Sequence, residues 1–92
     1  MKFPQFADEE LICKPHDICL SNGWKIMIYK SAGYIGLSFR RNHETHCHIS
    51  YHQDLLGTAS MFGRTCSVRC AVDHLMRSSP AVAEWLLWNR LY

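Results

Sequence analysis

Apolar and polar residues alternate in three successive segments, over residues 24–29, 34–40 and 46–52. Asn22 and Gly23 precede the first segment, and this dipeptide favours the positive φ angles of a tight hairpin turn. Short polar turns separate the segments. The pattern predicts an antiparallel meander of three or four strands with one buried face. The inward positions given by the alternation are Trp24, Ile26, Ile28, Ile35, Leu37, Phe39, Cys47, Ile49 and Tyr51.

The hydrophobic period changes after Asp54, and two C-terminal helices are predicted. We expect Thr65 to cap the first helix, and Ser79 to cap a second helix that starts at Pro80 and runs to Tyr92. Residues 55–63 contain two glycines and predict a loop. The apolar stripe of the first helix follows the i, i+3, i+4, i+7 spacing and comprises Val68, Ala71, Val72, Leu75 and Met76.

These elements predict one α+β domain over residues 1–92. A three- or four-stranded antiparallel sheet packs against the two C-terminal helices, because the apolar faces of sheet and helices must cover each other. The length of 92 residues suits a single domain. With 48% hydrophobic and 20% charged residues, the composition is that of a globular protein and excludes a disordered chain.

The sequence also indicates the cellular compartment of the protein. It contains no run of about 18 apolar residues that would cross a membrane. Residues 1–10 turn acidic at once and lack the apolar region of a secretory signal. Five cysteines are an odd number, which favours reduced thiols over a disulfide framework. We therefore expect a cytoplasmic protein.

The outward face of the sheet is a candidate nucleic-acid surface. Cations mixed with Tyr and His suit phosphate contacts and base stacking, although a solvated sheet face has much the same composition. The net charge of +2 is small for such a protein, but residues 23–53 hold four Lys or Arg against one Glu. The predicted contact residues are Lys25, Tyr29, Tyr34, Arg40, His46 and His48.

Two clusters are candidates for a zinc-stabilised fold. Strand alternation places His46 and His48 on one face, about 6.5–7 Å apart, and such a pair can chelate one ion. Cys13, His16 and Cys19 follow each other at three-residue intervals around Pro15. Neither cluster matches the paired cysteine spacing of common zinc sites, and buried thiols with surface histidines explain both. We assign no metal and no cofactor.

Catalysis has little support in the sequence. Cys70 and His74 are i, i+4 on the predicted helix, beside Asp73, so a thiol–imidazole pair is conceivable there. No residue pattern supplies the group that orients the histidine or an oxyanion donor. The common nucleotide-binding and hydrolase motifs are absent from the sequence. We predict a protein that is not an enzyme.

The final helix carries the clearest functional pattern, because it is apolar nearly all round. Trp85 and Trp88 cluster on one side, which we expect to be buried against the sheet. Leu87 and Leu91 lie on the other side, where with Arg90 they form the predicted partner-binding surface. Alternatively, the N-terminal segment covers this side with Phe3, Phe6, Leu11 and Ile12.

Our leading hypothesis is a small cytoplasmic interaction module that binds a protein partner or a second copy of itself, without a role at membranes. Small α+β proteins without catalytic motifs are common among accessory and inhibitor proteins, including those of bacteriophages, although a fold class alone does not fix a function. A nucleic-acid-binding domain is the alternative, and a zinc-stabilised domain is the third hypothesis.

Overall fold

Six antiparallel strands and two helices make up the described part of the chain, which comprises residues 16–52 and 55–89 of a computed structural model. Each strand pairs with its neighbours in sequence, so the sheet order is β1-β2-β3-β4-β5-β6. The α+β class is confirmed, whereas the predicted count of three or four strands is wrong. The elements are β1 (His16–Cys19), β2 (Trp24–Ser31), β3 (Tyr34–Arg41), β4 (Glu44–His52), β5 (Leu55–Met61), β6 (Arg64–Cys66), α1 (Val68–Ser78) and α2 (Pro80–Trp88).

The segment predicted as a loop, residues 55–63, instead contains β5 and the turn into β6. Its alternation is weak because the buried inward residue is only an alanine, Ala59, between Thr58 and Ser60. Phe62 and Gly63 have φ angles of 50° and 80°, close to those of Asn22 and Gly23 at 59° and 79°. Both pairs therefore form tight hairpin turns with two positive φ angles.

One face of the sheet forms the core, and the predicted inward set is confirmed. All nine of its residues are buried, with at most 6% exposure. The strand register aligns them, since Leu37 is the Cα partner of Ile28 on one side and of Ile49 on the other. Both helices contribute to the same cluster. The core therefore lies between this face and the helices.

Helix α1 begins two residues later than Thr65 would place it. Ser67 is the N-cap, and its hydroxyl accepts a hydrogen bond from the Cys70 backbone N–H at 3.0 Å. Thr65 lies in β6, so its predicted role as the cap is wrong. The predicted apolar stripe is confirmed by the burial of Val68, Ala71, Val72 and Leu75 and the partial burial of Met76.

Helix α2 starts as predicted, with Ser79 as N-cap and Pro80 in the first turn. It ends at Trp88 and not at Tyr92, and Asn89 caps it. Val82 and Leu86 define its buried side.

The two tryptophans of α2 have different environments. Trp85 is half-buried and packs edge-on against Phe39, with ring centroids 6.0 Å apart. Trp88 is 84% exposed, so its predicted burial is wrong. At 3.6 residues per turn, Trp88 lies about 140° around the helix from the Val82–Leu86 side, whereas Trp85 lies only about 80° from it.

We expect the two tryptophans to differ sharply in their contribution to stability. Trp85→Ala should lower the free energy of unfolding by about 2–3 kcal/mol, somewhat below the loss for a fully buried aromatic side chain. Trp88→Ala should change it by less than about 0.5 kcal/mol, as is usual at exposed positions. Urea unfolding followed by far-UV circular dichroism measures both. An equal loss in the two variants would place Trp88 in the core.

Candidate functional site

The sheet face opposite the helices carries most of the residues predicted to contact nucleic acid. We call it the open face. All of its members named here are half-buried by their neighbours in the sheet. They are Lys25, Met27 and Tyr29 of β2, Tyr34, Ser38 and Arg40 of β3, and His48, Ser50 and His52 of β4.

A chain of polar contacts crosses the middle of the open face. Nδ1 of His48 is 2.8 Å from the Ser38 hydroxyl, and its Nε2 is 3.3 Å from the Ser50 hydroxyl. The Ser50 hydroxyl is in turn 3.3 Å from the Tyr34 hydroxyl. Tyr34 lies across Gly36, where a Cβ atom would come within 2.5 Å of the Tyr34 oxygen. The glycine therefore leaves the space in which this chain forms.

His48 is held as a neutral imidazole within this chain. Burial lowers its pKa. A neutral imidazole has one donor and one acceptor nitrogen, which matches one serine hydroxyl on each side. His48 therefore contributes hydrogen bonds to the open face at neutral pH, but no positive charge.

The permanent cations of the open face are concentrated at one end. Lys25 and Arg40 are cross-strand partners, and with Gly23, Asn42 and His43 they line a shallow pocket of about 250 Å³. Arg40 donates from Nη2 to the His43 carbonyl at 3.1 Å. Its Nε is buried and has no hydrogen-bond partner among the described residues. The pocket thus brings two cations together, while the buried Nε of Arg40 is shielded from solvent.

His46 does not belong to the open face, so its predicted position beside His48 is wrong. A register shift between Phe39 and Arg40 makes Thr45 the partner of Arg40 and leaves His46 as the extra residue of a β-bulge. The imidazole contacts Trp24 and Phe62, with ring centroids 4.9 and 4.8 Å away. His46 and His48 therefore cannot chelate one ion together.

The bulge instead brings His46 to His74 of α1. Nδ1 of His46 is 3.3 Å from Nε2 of His74, and the same Nε2 is 3.3 Å from the Ser78 hydroxyl. Burial, with smaller contributions from His46 and Arg77, lowers the pKa of His74. No pattern in the sequence pairs these two histidines, since they are 28 positions apart.

The sequence suggested a pair of Cys70 and His74, but among the described residues no hydrogen bond joins the two side chains. The Nε2 atom of His74 faces both His46 and Ser78, whereas a histidine that activates a nucleophile uses one nitrogen for it and the other for an orienting group. Cys70 is exposed and neighbours Cys66, whose pKa is raised by burial and by that second thiol.

The other cysteines provide no metal site in the described residues. Burial, reinforced by Cys66 and Cys70, raises the pKa of Cys47 to about 12, so this thiol stays protonated. Its Sγ lies 3.8 Å from the carbonyl of Ala71. Cys13 of the predicted Cys-His-Cys cluster lies outside the described residues. Within residues 16–52 and 55–89, no group of three or more His, Cys, Asp or Glu side chains could share a metal ion.

The exposed side of α2 is the second candidate surface. Leu87 is 55% exposed and Trp88 is 84% exposed. Trp88 borders a groove of about 340 Å³, which is also lined by Leu20, Ala81, Glu84 and Trp85. Of the residues predicted to bind a partner, Leu87 lies at this surface, while Arg90 and Leu91 lie outside the described residues. Sequence periodicity missed Trp88 as a surface residue because it centred the buried side of α2 on the tryptophans.

No protein family, curated protein or solved structure matches this chain. Among the described residues, neither helix is long and apolar enough to cross a membrane.

The lowered pKa of His48 predicts a loss of stability in mild acid. Below its ordinary value of 6.5 the unfolded chain binds a proton at this residue, whereas folded His48 takes one up only at lower pH. The free energy of unfolding should therefore fall as the pH drops from 7 through 6.5 and further, until folded His48 also protonates. Thermal unfolding at pH 7.5, 6.5 and 5.5 measures this change.

His48→Gln should reduce this pH dependence, because its side chain does not titrate. His43→Gln, at an exposed turn, is the matched control and should keep the His48 contribution. An identical pH dependence in wild type and His48→Gln would contradict the prediction.

Proposed function

We propose that this chain is a small protein-binding module that contacts its partner through the exposed side of α2. The observation that carries the proposal is the 84% exposure of Trp88 beside the apolar groove. Trp is enriched among the residues that dominate binding energy, and such residues need a surrounding surface that excludes water. Leu87 and the groove supply that surface.

Burial of Trp88 would supply a substantial part of the free energy that binding requires. Covering the exposed part of Trp88 removes about 125–210 Å² from water, which contributes about 3–5 kcal/mol before the cost of association. Covering Leu87 adds to this amount. In addition, Trp85 is fixed by its contact with Phe39, so one wall of the groove is ordered before a partner arrives.

The groove also suggests the chemistry of the partner. Its lining is mostly apolar, with a single exposed carboxylate, Glu84. This composition fits a protein segment that presents apolar side chains together with one Lys or Arg. Arg90 and Leu91 follow α2 in the sequence and remain predicted parts of the same surface.

The test replaces both exposed apolar residues by charged ones. We expect Leu87→Lys/Trp88→Lys to keep the native circular dichroism spectrum, because both side chains are exposed, and to lose binding. Sedimentation velocity over a range of concentrations detects self-association, and affinity capture followed by calorimetry with the purified partner measures binding to another protein. Arg69→Glu/Arg77→Glu, at exposed positions of α1, is the control and should retain the interaction.

Two results would contradict this proposal. One is a folded double variant that self-associates or binds the partner as tightly as wild type. The other is a wild-type protein that stays monomeric and captures no protein that the double variant fails to capture.

Nucleic-acid binding through the open face is a second candidate function, favoured by the Lys25–Arg40 pocket. The two neighbouring cations suit a phosphate group. Tyr29, Tyr34 and His52 add ring surface along the same face, and the rings of Tyr34 and His52 are 5.1 Å apart. The weakness of this candidate is that Lys25 lies 3.6 Å from Asp17, which offsets part of its charge.

Neutralising this pocket tests the second candidate. Lys25→Gln/Arg40→Gln should weaken binding to a single-stranded oligonucleotide, because two phosphate contacts are lost. The slope of log K against log salt should also become shallower by about 1.4. Fluorescence anisotropy at several salt concentrations measures both effects.

The control Arg69→Gln/Arg77→Gln removes the same charge from α1 and should bind like wild type. A wild type without measurable affinity for single strands or duplexes at low salt would exclude this candidate. If the two double variants weaken oligonucleotide binding equally, binding depends on net charge and not on the Lys25–Arg40 pocket.

A further inference from the structure

The contact between His46 and His74 has the geometry of a metal site. The two nitrogens that face each other, Nδ1 of His46 and Nε2 of His74, are 3.3 Å apart. Zn²⁺ binds imidazole nitrogens at 2.0–2.1 Å in a tetrahedral arrangement, so two such ligands lie about 3.3–3.4 Å from each other. The observed distance between the two nitrogens therefore matches the distance between two ligand atoms in a tetrahedral zinc site.

The surroundings hold both rings in this arrangement. The edge of Trp24 and the ring of Phe62 pack on His46, and Phe62 also contacts His74 with ring centroids 5.5 Å apart. Phe62 is 50% exposed and the side chain of His46 is 15% exposed, so the pair lies just beneath the surface. The rings are thus positioned by packing before any ion binds.

Of the two facing nitrogens, one has a free lone pair, while the other carries the N–H between the rings, and Nε2 of His74 also lies 3.3 Å from the Ser78 hydroxyl. Oε1 of Glu44 lies 3.8 Å from Nε2 of His46, the nitrogen that faces away from His74. A carboxylate near the far nitrogen of a histidine ligand favours a proton there and exposes the near nitrogen to the metal. Without metal, one N–H lies between the rings. When metal binds, that proton moves to the other nitrogen of the same ring, and both near nitrogens become ligands.

We propose that His46 and His74 form a two-imidazole binding site for a divalent transition-metal ion, with Zn²⁺ as the ion that the separation fits. Imidazole is a preferred ligand of this class of ions. The described residues provide no third ligand, so water completes the coordination and the ion exchanges readily. The proposal is independent of partner binding through α2, because it uses a different part of the surface.

The site differs from the two clusters that the sequence suggested. It uses one histidine of β4 and one of α1, and therefore bridges the sheet and the helical layer. A bound ion would link these layers at the rim of the core. Zn²⁺ should consequently raise the thermal unfolding temperature as well as bind.

Isothermal titration calorimetry of the full chain with ZnCl₂, under reducing conditions, tests the proposal. We expect one Zn²⁺ per chain, and at least about tenfold weaker binding in His46→Ala and in His74→Gln, since even loss of an outer hydrogen-bonding partner costs about 10–100-fold. His48→Ala, on the opposite face, is the matched control and should bind like wild type. Cys70→Ser should also bind Zn²⁺ like wild type. This result would show that the exposed thiol is not a ligand of the site.

A second measurement avoids reliance on variants that unfold. In the wild-type protein, imidazole NMR resonances of His46 and His74 should shift on addition of Zn²⁺, while those of His48 and His52 stay in place. Absence of zinc binding at millimolar concentration overturns the proposal. Binding that is lost in Cys70→Ser or His48→Ala but kept in the His46 and His74 variants also overturns it.

Discussion

The fold depends on the burial of one side of the sheet, where Ile26, Leu37 and Ile49 are completely shielded from water together with Leu75 and Leu86 of the helices. Because side chains alternate along a strand, this burial fixes the orientation of every other residue in β2, β3 and β4. The polar chain through His48 lies on the open face for this reason. A shift of one residue in register would exchange the two faces, so the apolar core also determines the position of the candidate sites.

The β-bulge at His46 interrupts this alternation in β4. It gives β4 one more residue than β3 between the pairs Phe39–Cys47 and Arg40–Thr45. His46 consequently leaves the open face and joins the rim of the core, where Trp24, Phe62 and His74 surround it. The two surfaces of the molecule differ in chemistry. The sheet side has hydroxyls, the imidazoles of His48 and His52 and two cations, whereas the helical side has indole and leucine side chains.

Sequence periodicity was sufficient for β2, β3, β4 and the buried stripe of α1, since large apolar residues alternate there with polar ones. It was insufficient for β5, because the inward residue is an alanine, whose hydrophobicity differs little from that of its neighbours. A bulge depends on pairing with another strand, so nothing local to His46 predicts it. The exposure of Trp88 was missed for a related reason: α2 is apolar nearly all round, and only its packing decides that Val82 and Leu86 are the buried residues.

The sequential order of the six strands has a consequence for how the chain reaches this structure. Every strand pairs with the one next to it in sequence, and two-residue turns such as Asn22–Gly23 and Phe62–Gly63 connect most of them. Short loops lose little entropy on closure, and a low average separation between contacting residues favours rapid folding. A hairpin formed anywhere in the meander can therefore serve as a template for the adjacent strand, so the sheet can assemble by stepwise addition from either side.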